Sequence, residues 1–230
     1  MRINKYLAKK GFDTRRGADE LITSNKVLIN GRIAVLGDKV NETDQVEVRQ
    51  DKAAKDAEKI YLAYHKPAGE DTMDISAIEK GAAAGAGANG KASVFPIGRL
   101  EKESAGLIIL TNDGRITDRL LNPAHAHEKE YEVTLDKTYS PSLIKILTDR
   151  LAHTQAHPAS ITPIDNRSFK LTLRDPGNTT IIRACSELGF QVARITRNRI
   201  LNIRVDGIRE GGWRKFTPAE QTAFLNTLGL

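Results

Sequence analysis

The stretch that most constrains this chain is Gly98-Arg99-Leu100-Glu101-Lys102-Glu103-Ser104-Ala105-Gly106, followed by Leu107-Ile108-Ile109-Leu110 and Thr111-Asn112-Asp113-Gly114. Four consecutive aliphatic residues that stop at an Asn-Asp-Gly turn predict a buried strand. The segment ahead of it delivers one carboxylate, Glu101, to the strand's entrance, with Arg99 two residues before it. A fixed carboxylate at a pocket mouth, with cations nearby for phosphate, suits glycosidic chemistry on a polyanion such as RNA.

The charge of the chain points the same way. The net charge is +6 and the isoelectric point about 9.4, which favours a polyanionic partner. Residues 1–32 hold eight basic against three acidic residues, and residues 194–215 hold seven against two. These two blocks predict two contact surfaces for one nucleic acid, although an isolated charge run is more often a solvated face. Cys185 is the only cysteine, which excludes an intrachain disulfide and a thiolate metal cluster. The first five residues already carry charge and no apolar stretch follows, so no signal peptide is expected. Leu107–Leu110 is far too short to cross a bilayer, and a cytoplasmic location is the default.

Residues 1–50 read as a compact unit. Ile3, Tyr6 and Leu7 lie at helical spacing, with Gly11 as a stop. Thr14 can cap a second helix from Arg15 to about Ser24, whose apolar stripe is Ala18, Leu21 and Ile22. Val27 and Ile29, a tight Asn30-Gly31 turn, and Ile33 and Val35 predict a hairpin, closed by a short strand over 46–48. Residues 51–59 form a charged, Ala/Lys-rich linker.

The second unit, residues 60–230, opens with a strand over 60–64 and the turn His65-Lys66-Pro67-Ala68-Gly69. Residues 81–92 are low-complexity and predict a mobile loop. Further strands are predicted over 130–135, 169–173, 190–195 and 200–205, and helices over 181–188 and from Ser140-Pro141 to about Leu151. Thr217-Pro218-Ala219-Glu220 is a capping box that opens a last helix with Phe224, Leu225 and Leu228 on its apolar face. Helices and strands mix without a regular βαβ beat. The predicted class is therefore α+β: a small helix-helix-hairpin RNA-binding module plus a larger mixed, mainly antiparallel sheet flanked by helices.

Residues 98–114 resemble the signature of pseudouridine synthases of the RsuA/RluB/RluE/RluF type, which reads G-R-L-D-x-x-S/T-x-G-L and ends T-N/D-D/H-G. His65-Lys66-Pro67-Ala68-Gly69 resembles the family's N-K-P-x-G opening. Lys129-Glu130-Tyr131-Glu132-Val133 resembles its K-x-Y-x-V strand, and the stretch from Arg194 to Arg214 resembles its terminal segment. Residues 1–50 resemble the S-four-like RNA-binding module, through Lys5-Tyr6-Leu7-Ala8, Arg15-Arg16-Gly17-Ala18-Asp19, Ile29-Asn30-Gly31 and Gly37-Asp38-Lys39-Val40.

This resemblance implies isomerisation of a specific uridine in ribosomal RNA: the base flips out, its N1–C1′ bond breaks, and C5 bonds to C1′. Neither metal nor cofactor is implied. The catalytic set carried over is Glu101, Tyr131 against the target base, and Arg183. Lys5, Arg15, Arg16, Lys26 and Arg32 would hold structured RNA. Arg99 would help to position the extruded nucleotide, and Lys66, Arg197 and Arg199 would add RNA contacts.

Two positions depart from the family. Glu101 replaces its aspartate, one methylene longer. The arginine expected to pair with that carboxylate falls, counting back from Gly189, on Ile182, so that Arg183 matches its neighbour. One helical step turns a side chain by about 100°. The departures frame a competing expectation, a non-catalytic RNA-binding or ribosome-assembly factor on the synthase scaffold. A stem-loop of ribosomal RNA is the expected partner and a monomer the expected state. A Walker-A-like run at 85–91 lacks its Ser/Thr and its flanking elements, and His125 with His127 lacks a third metal ligand.

Overall fold

The computed structural model describes residues 1–10, 12, 15–41, 43–49, 59–72, 94–154, 158–174 and 177–230. The expected Gly11 stop, Thr14 cap, most of the 51–59 linker, and the 81–92 loop with its Walker-A-like run lie outside these residues, as does the side chain of Arg16.

The first unit follows its pattern. Helices α1 (Ile3–Lys9) and α2 (Arg15–Thr23) pack on a small antiparallel sheet of β1 (Val27–Ile29), β2 (Arg32–Ile33) and β3 (Val46–Val48), in the order β2-β1-β3. Ile3, Leu7, Ala18, Ile22, Val27, Ile29, Ala34 and Val40 form its core. Asn30 and Gly31 take φ of 52° and 79°, which suits the two central residues of a hairpin turn that follows strand twist. Leu28 then faces Ile33.

The second unit holds β4 (Tyr61–Lys66), β5 (Phe95–Ile97), β6 (Ala105–Thr111), α3 (Arg115–Leu121), β7 (Glu128–Leu135), α4 (Ser142–Ala152), β8 (Pro158–Pro163), β9 (Ser168–Arg174), α5 (Asn178–Glu187), β10 (Val192–Ile200), β11 (Ile203–Arg204), β12 (Trp213–Lys215) and α6 (Pro218–Thr227). The strands form one sheet along the path β12-β4-β6-β10-β7-β9-β8, with β5 on β6 and β11 on β10. Every pairing is antiparallel except β6 with β10.

All seven residues of β6 are buried, because alternate side chains enter two different cores. Leu107 and Ile109 join Tyr61, Phe216, Ile116 and Leu120 of α3, and Phe224 of α6. Ile108 and Leu110 join Leu62, Tyr64, Val94 and Leu100. A third core joins Tyr131, Val133, Leu135 and Leu171 to Leu143, Leu147 and Leu151 of α4 and to Ile181, Ala184 and Cys185 of α5. The Thr217/Glu220 capping box forms as its spacing predicts.

Three local expectations change. The strand expected over 190–195 runs on to Ile200 as β10, and the one expected over 200–205 shortens to β11, after a turn at Leu201 (φ 52°). The helix expected from Ile181 begins at Asn178, so the residues ahead of its apolar stripe are helical too. Strands β5, β8 and β12 were not foreseen; two of them contain prolines, which suit strand edges. Lys9 of α1 approaches Asp118 of α3 at 3.6 Å, a contact between the two units. Among the described residues no helix is long and apolar enough to cross a membrane.

Candidate active site

The loop between β5 and β6 presents Glu101, and the sequence around it explains how that loop is anchored. Gly106 has φ 117°, and a Cβ placed on it would fall on the backbone of Arg197. Only glycine lets β6 and β10 meet as parallel neighbours here, with Ala105 opposite Thr196 and Gly106 opposite Arg197. Upstream, Leu100 is buried, and the buried Thr72 hydroxyl both donates to its carbonyl (2.9 Å) and accepts from its N–H (3.1 Å). Ser104 N–H donates to the Glu101 carbonyl at 3.0 Å, closing a turn, and Gly69 N–H donates to the Lys102 carbonyl at 2.7 Å.

Two residues expected to meet RNA instead serve this loop. Lys66 is fully buried, and its ammonium donates to the carbonyls of Pro67 (2.9 Å), Glu70 (2.7 Å) and Lys102 (3.2 Å). Burial pushes its pKa down, although the carboxylates of Glu70, Asp71, Glu103 and Glu101 oppose the shift. A buried ammonium needs such a cage, and this one cannot also reach a phosphate. Arg197 is only 4% exposed. Its Nε donates to the Leu107 carbonyl at 2.8 Å and its Nη1 lies 3.5 Å from the Arg99 carbonyl, while the buried Nη2 has no partner among the described residues. In the sheet it stands opposite Tyr131.

Helix α5 ties this loop to the tyrosine. Asn178 Nδ2 donates to Ser104 Oγ at 2.6 Å, with both residues buried, and Thr179 Oγ1 donates to Glu101 Oε1 at 2.6 Å. One to two turns on, Ile181, Ala184 and Cys185 pack in the core that contains Tyr131. Burial there pushes the Cys185 thiol up to about 12, so it stays a neutral packing group. Glu101 is exposed at the loop, while Tyr131 is fully covered.

Arg183 is not part of this cluster. Its side chain is 80% exposed, and its guanidinium pairs with Glu187 one turn along the same helix at 2.9 Å. Glu187 also takes Arg150. The expected pairing of Arg183 with the Glu101 carboxylate is therefore not what this fold builds. The one-residue offset from Ile182 points Arg183 outward, as the helical rotation warned.

The remaining expected RNA contacts divide sharply. Lys5, Arg15 and Arg99 are exposed, Lys26 is half-buried, and Arg32 is exposed but bonded to Asp38 at 2.9 Å. Arg199 is instead drawn inward between Glu128 and Glu130, 3.6 Å from each, with a bond to the Leu201 carbonyl. It is a sheet brace rather than a phosphate contact. His127 bonds to the Arg119 carbonyl through Nε2 at 2.7 Å, and its ring lies 5.8 Å from that of His125.

Sequence reasoning missed Thr179, Asn178, Ser104 and Thr72. Ser104 lies inside the 98–114 motif, but nothing in the linear chain marks which hydroxyl will face Glu101.

A family model described as RNA pseudouridylate synthase matches residues 60–187, and an S4 domain model matches residues 1–46. The chain is 35% identical to the dual-specificity RNA pseudouridine synthase RluF of Escherichia coli, with 96% of this chain and 77% of that protein covered. It is 29% identical to the ribosomal large subunit pseudouridine synthase B of Bacillus subtilis, with 95% and 93% covered. A solved structure of a pseudouridylate synthase superposes with a TM-score of 0.62 at 23% identity over 99% of both chains, and so shares the fold. The carboxylate-bearing loop, the buried tyrosine strand and these matches lead to one conclusion: the chain belongs to the RNA pseudouridylate synthase family and carries an S4 domain at its N-terminal end.

Proposed function

We propose that this chain converts a specific uridine of ribosomal RNA into pseudouridine, with Glu101 as the acting carboxylate and with Tyr131, covered in the free chain, bordering the base once RNA binding uncovers it. The observation that carries this reading is the Glu101 loop. It is exposed at its tip, yet anchored by Thr72, Lys66, Arg197 and the first turn of α5. A catalytic group must be held to within fractions of an ångström by its supports. The names of the similar proteins, one of them a ribosomal large subunit synthase, support ribosomal RNA as the substrate class.

The reaction balances within the substrate. The N1–C1′ bond breaks, the uracil turns, C5 bonds to C1′, and the proton displaced from C5 is matched by one gained at N1. A carboxylate at C1′ can stabilise or trap the electron-poor sugar carbon in between. Nothing is oxidised or reduced, and no cofactor enters the balance. Residues 1–50 would hold a structured stem-loop through Lys5, Arg15, Arg16, Lys26 and Arg32. Residues 60–230 would carry out the isomerisation, with Arg99 at the nucleotide and residues 51–59 as the connection. A cytoplasmic monomer suits this arrangement.

The test is chemical or mass-spectrometric mapping of pseudouridine in ribosomal RNA from cells with and without the gene, backed by turnover with the purified chain. One site should lose its modification and regain it in vitro. An unchanged map together with no turnover would leave the non-catalytic assembly factor as the surviving reading.

A further inference from the structure

Glu101 stands at the start of α5, and the helix meets it with two consecutive side chains. Thr179 donates its hydroxyl to the carboxylate at 2.6 Å, while Asn178 holds Ser104 at 2.6 Å. Glu101 and Ser104 are the two ends of one turn, so adjacent helix residues clamp that turn at both ends. Among the described residues no lysine, arginine or histidine forms an ion pair with Glu101. The nearby Lys66 is locked by three carbonyls, and Arg183 by Glu187. What faces the carboxylate is the N-terminal end of a ten-residue helix, whose first turn contains no acidic residue. That end carries the positive pole of the helix dipole.

We infer that Thr179 is the positioning residue for the Glu101 carboxylate: its hydroxyl sets the direction of the group, and the helix end supplies the stabilisation that a paired cation would otherwise give. The inference rests on Glu101 being the acting carboxylate. It also explains the longer side chain. An aspartate at 101 would end about one C–C bond short of the Thr179 hydroxyl, so glutamate and threonine form a matched pair.

Turnover and RNA affinity should be measured for the wild type, Thr179→Val, Thr179→Ser, Glu101→Asp and the double variant Glu101→Asp/Thr179→Val. A hydrogen bond to a charged group, or a shift of about 1 Å in a reacting group, predicts that Thr179→Val lowers kcat by about 10- to 100-fold with RNA affinity unchanged. Thr179→Ser should restore most of it. In the Glu101→Asp background the valine should cost no more than about twofold, because the contact is already gone. An unchanged kcat in Thr179→Val, a loss confined to RNA binding, or losses that multiply in the double variant would overturn the inference. If the wild type turns over no uridine, the functional reading fails by itself. The clamp is then judged by unfolding midpoints of the wild type, Thr179→Val, Glu101→Gln and their combination: coupled shifts support it and additive ones reject it.

Discussion

Residues 1–32 and 194–215 are about equally rich in arginine and lysine, yet the fold uses them in opposite ways. In the first stretch Arg2, Lys5, Lys10 and Arg15 stay exposed, and Lys9 approaches the partly exposed Asp118. In the second, Arg197 is buried under the Glu101 loop and Arg199 sits between two glutamates. Arg204 holds Glu130 and Asp206, Arg214 forms a two-pronged pair with Glu220, and Arg194 pairs with Glu210. Asp206, Glu210 and Glu220 are local partners, but the acids that hold Arg199 come from elsewhere. Glu128 and Glu130 arrive on β7, some seventy residues away in sequence, and no local charge count reveals them. A cluster of cations becomes a nucleic-acid surface only where the fold leaves it unspent.

The comparison can be broken first at its extreme case, a consumed cation outside both stretches. Arg115 grips the fully buried Asp113 through Nε–Oδ1 (2.9 Å) and Nη2–Oδ2 (2.6 Å), and Tyr61 adds its hydroxyl at 2.8 Å. Asp113→Asn should cost about 2–3 kcal/mol, measured by urea unfolding near neutral pH, because Tyr61 and the 40% exposed Arg115 lose their charged acceptor. The wild type should also lose stability in acid. Burial pushes the Asp113 carboxyl up, but the Arg115 and Tyr61 bonds outweigh it and hold the pKa below its ordinary value. A depressed folded pKa means that the contribution is present above the unfolded value of about 3.9 and vanishes as pH falls through the folded one. The asparagine variant should show a shallower acid limb, and an identical limb would remove Asp113 from that account.

A smaller loss is expected on the consumed side itself. Arg197→Met should lower stability by about 1–3 kcal/mol, since the Leu107 carbonyl loses its buried donor. The salt dependence of RNA binding should not change. A flatter salt slope would show that Arg197 does meet phosphate.

Lys5→Ala with Arg15→Ala should do the reverse. The unfolding midpoint should stay within about 2 °C of wild type, while the salt slope of RNA affinity falls by up to about two. An unchanged slope would mean that the N-terminal patch does not meet RNA. The smallest effect is expected from Arg183→Ala, which removes a surface i,i+4 pair. Its midpoint should move by about 1 °C or less and kcat by less than about twofold. A larger fall in kcat would return Arg183 to the catalytic set.

Legibility differed from one feature to the next for physical reasons. The Asn30-Gly31 hairpin, the Thr217/Glu220 capping box and the alternating strand around Tyr131 were readable because each is fixed by residues within a few positions. Strands β5, β8 and β12 were not, since short edge strands owe their conformation to the neighbour they pair with. The place of Glu101 on its loop was legible through its motif, whereas Lys66 and Arg197 were legible only as cations expected at RNA. Their actual task, holding backbone carbonyls of the Glu101 loop, depends on a parallel contact between strands some ninety residues apart.

The sequence by itself determined the family, the two-unit order and the position of the carboxylate, because those reside in short motifs and local periodicity. Tertiary structure alone decided which cations remain free for RNA and which side chain steadies Glu101. Both depend on what the folded chain brings within 3 Å, and a linear string carries no distances.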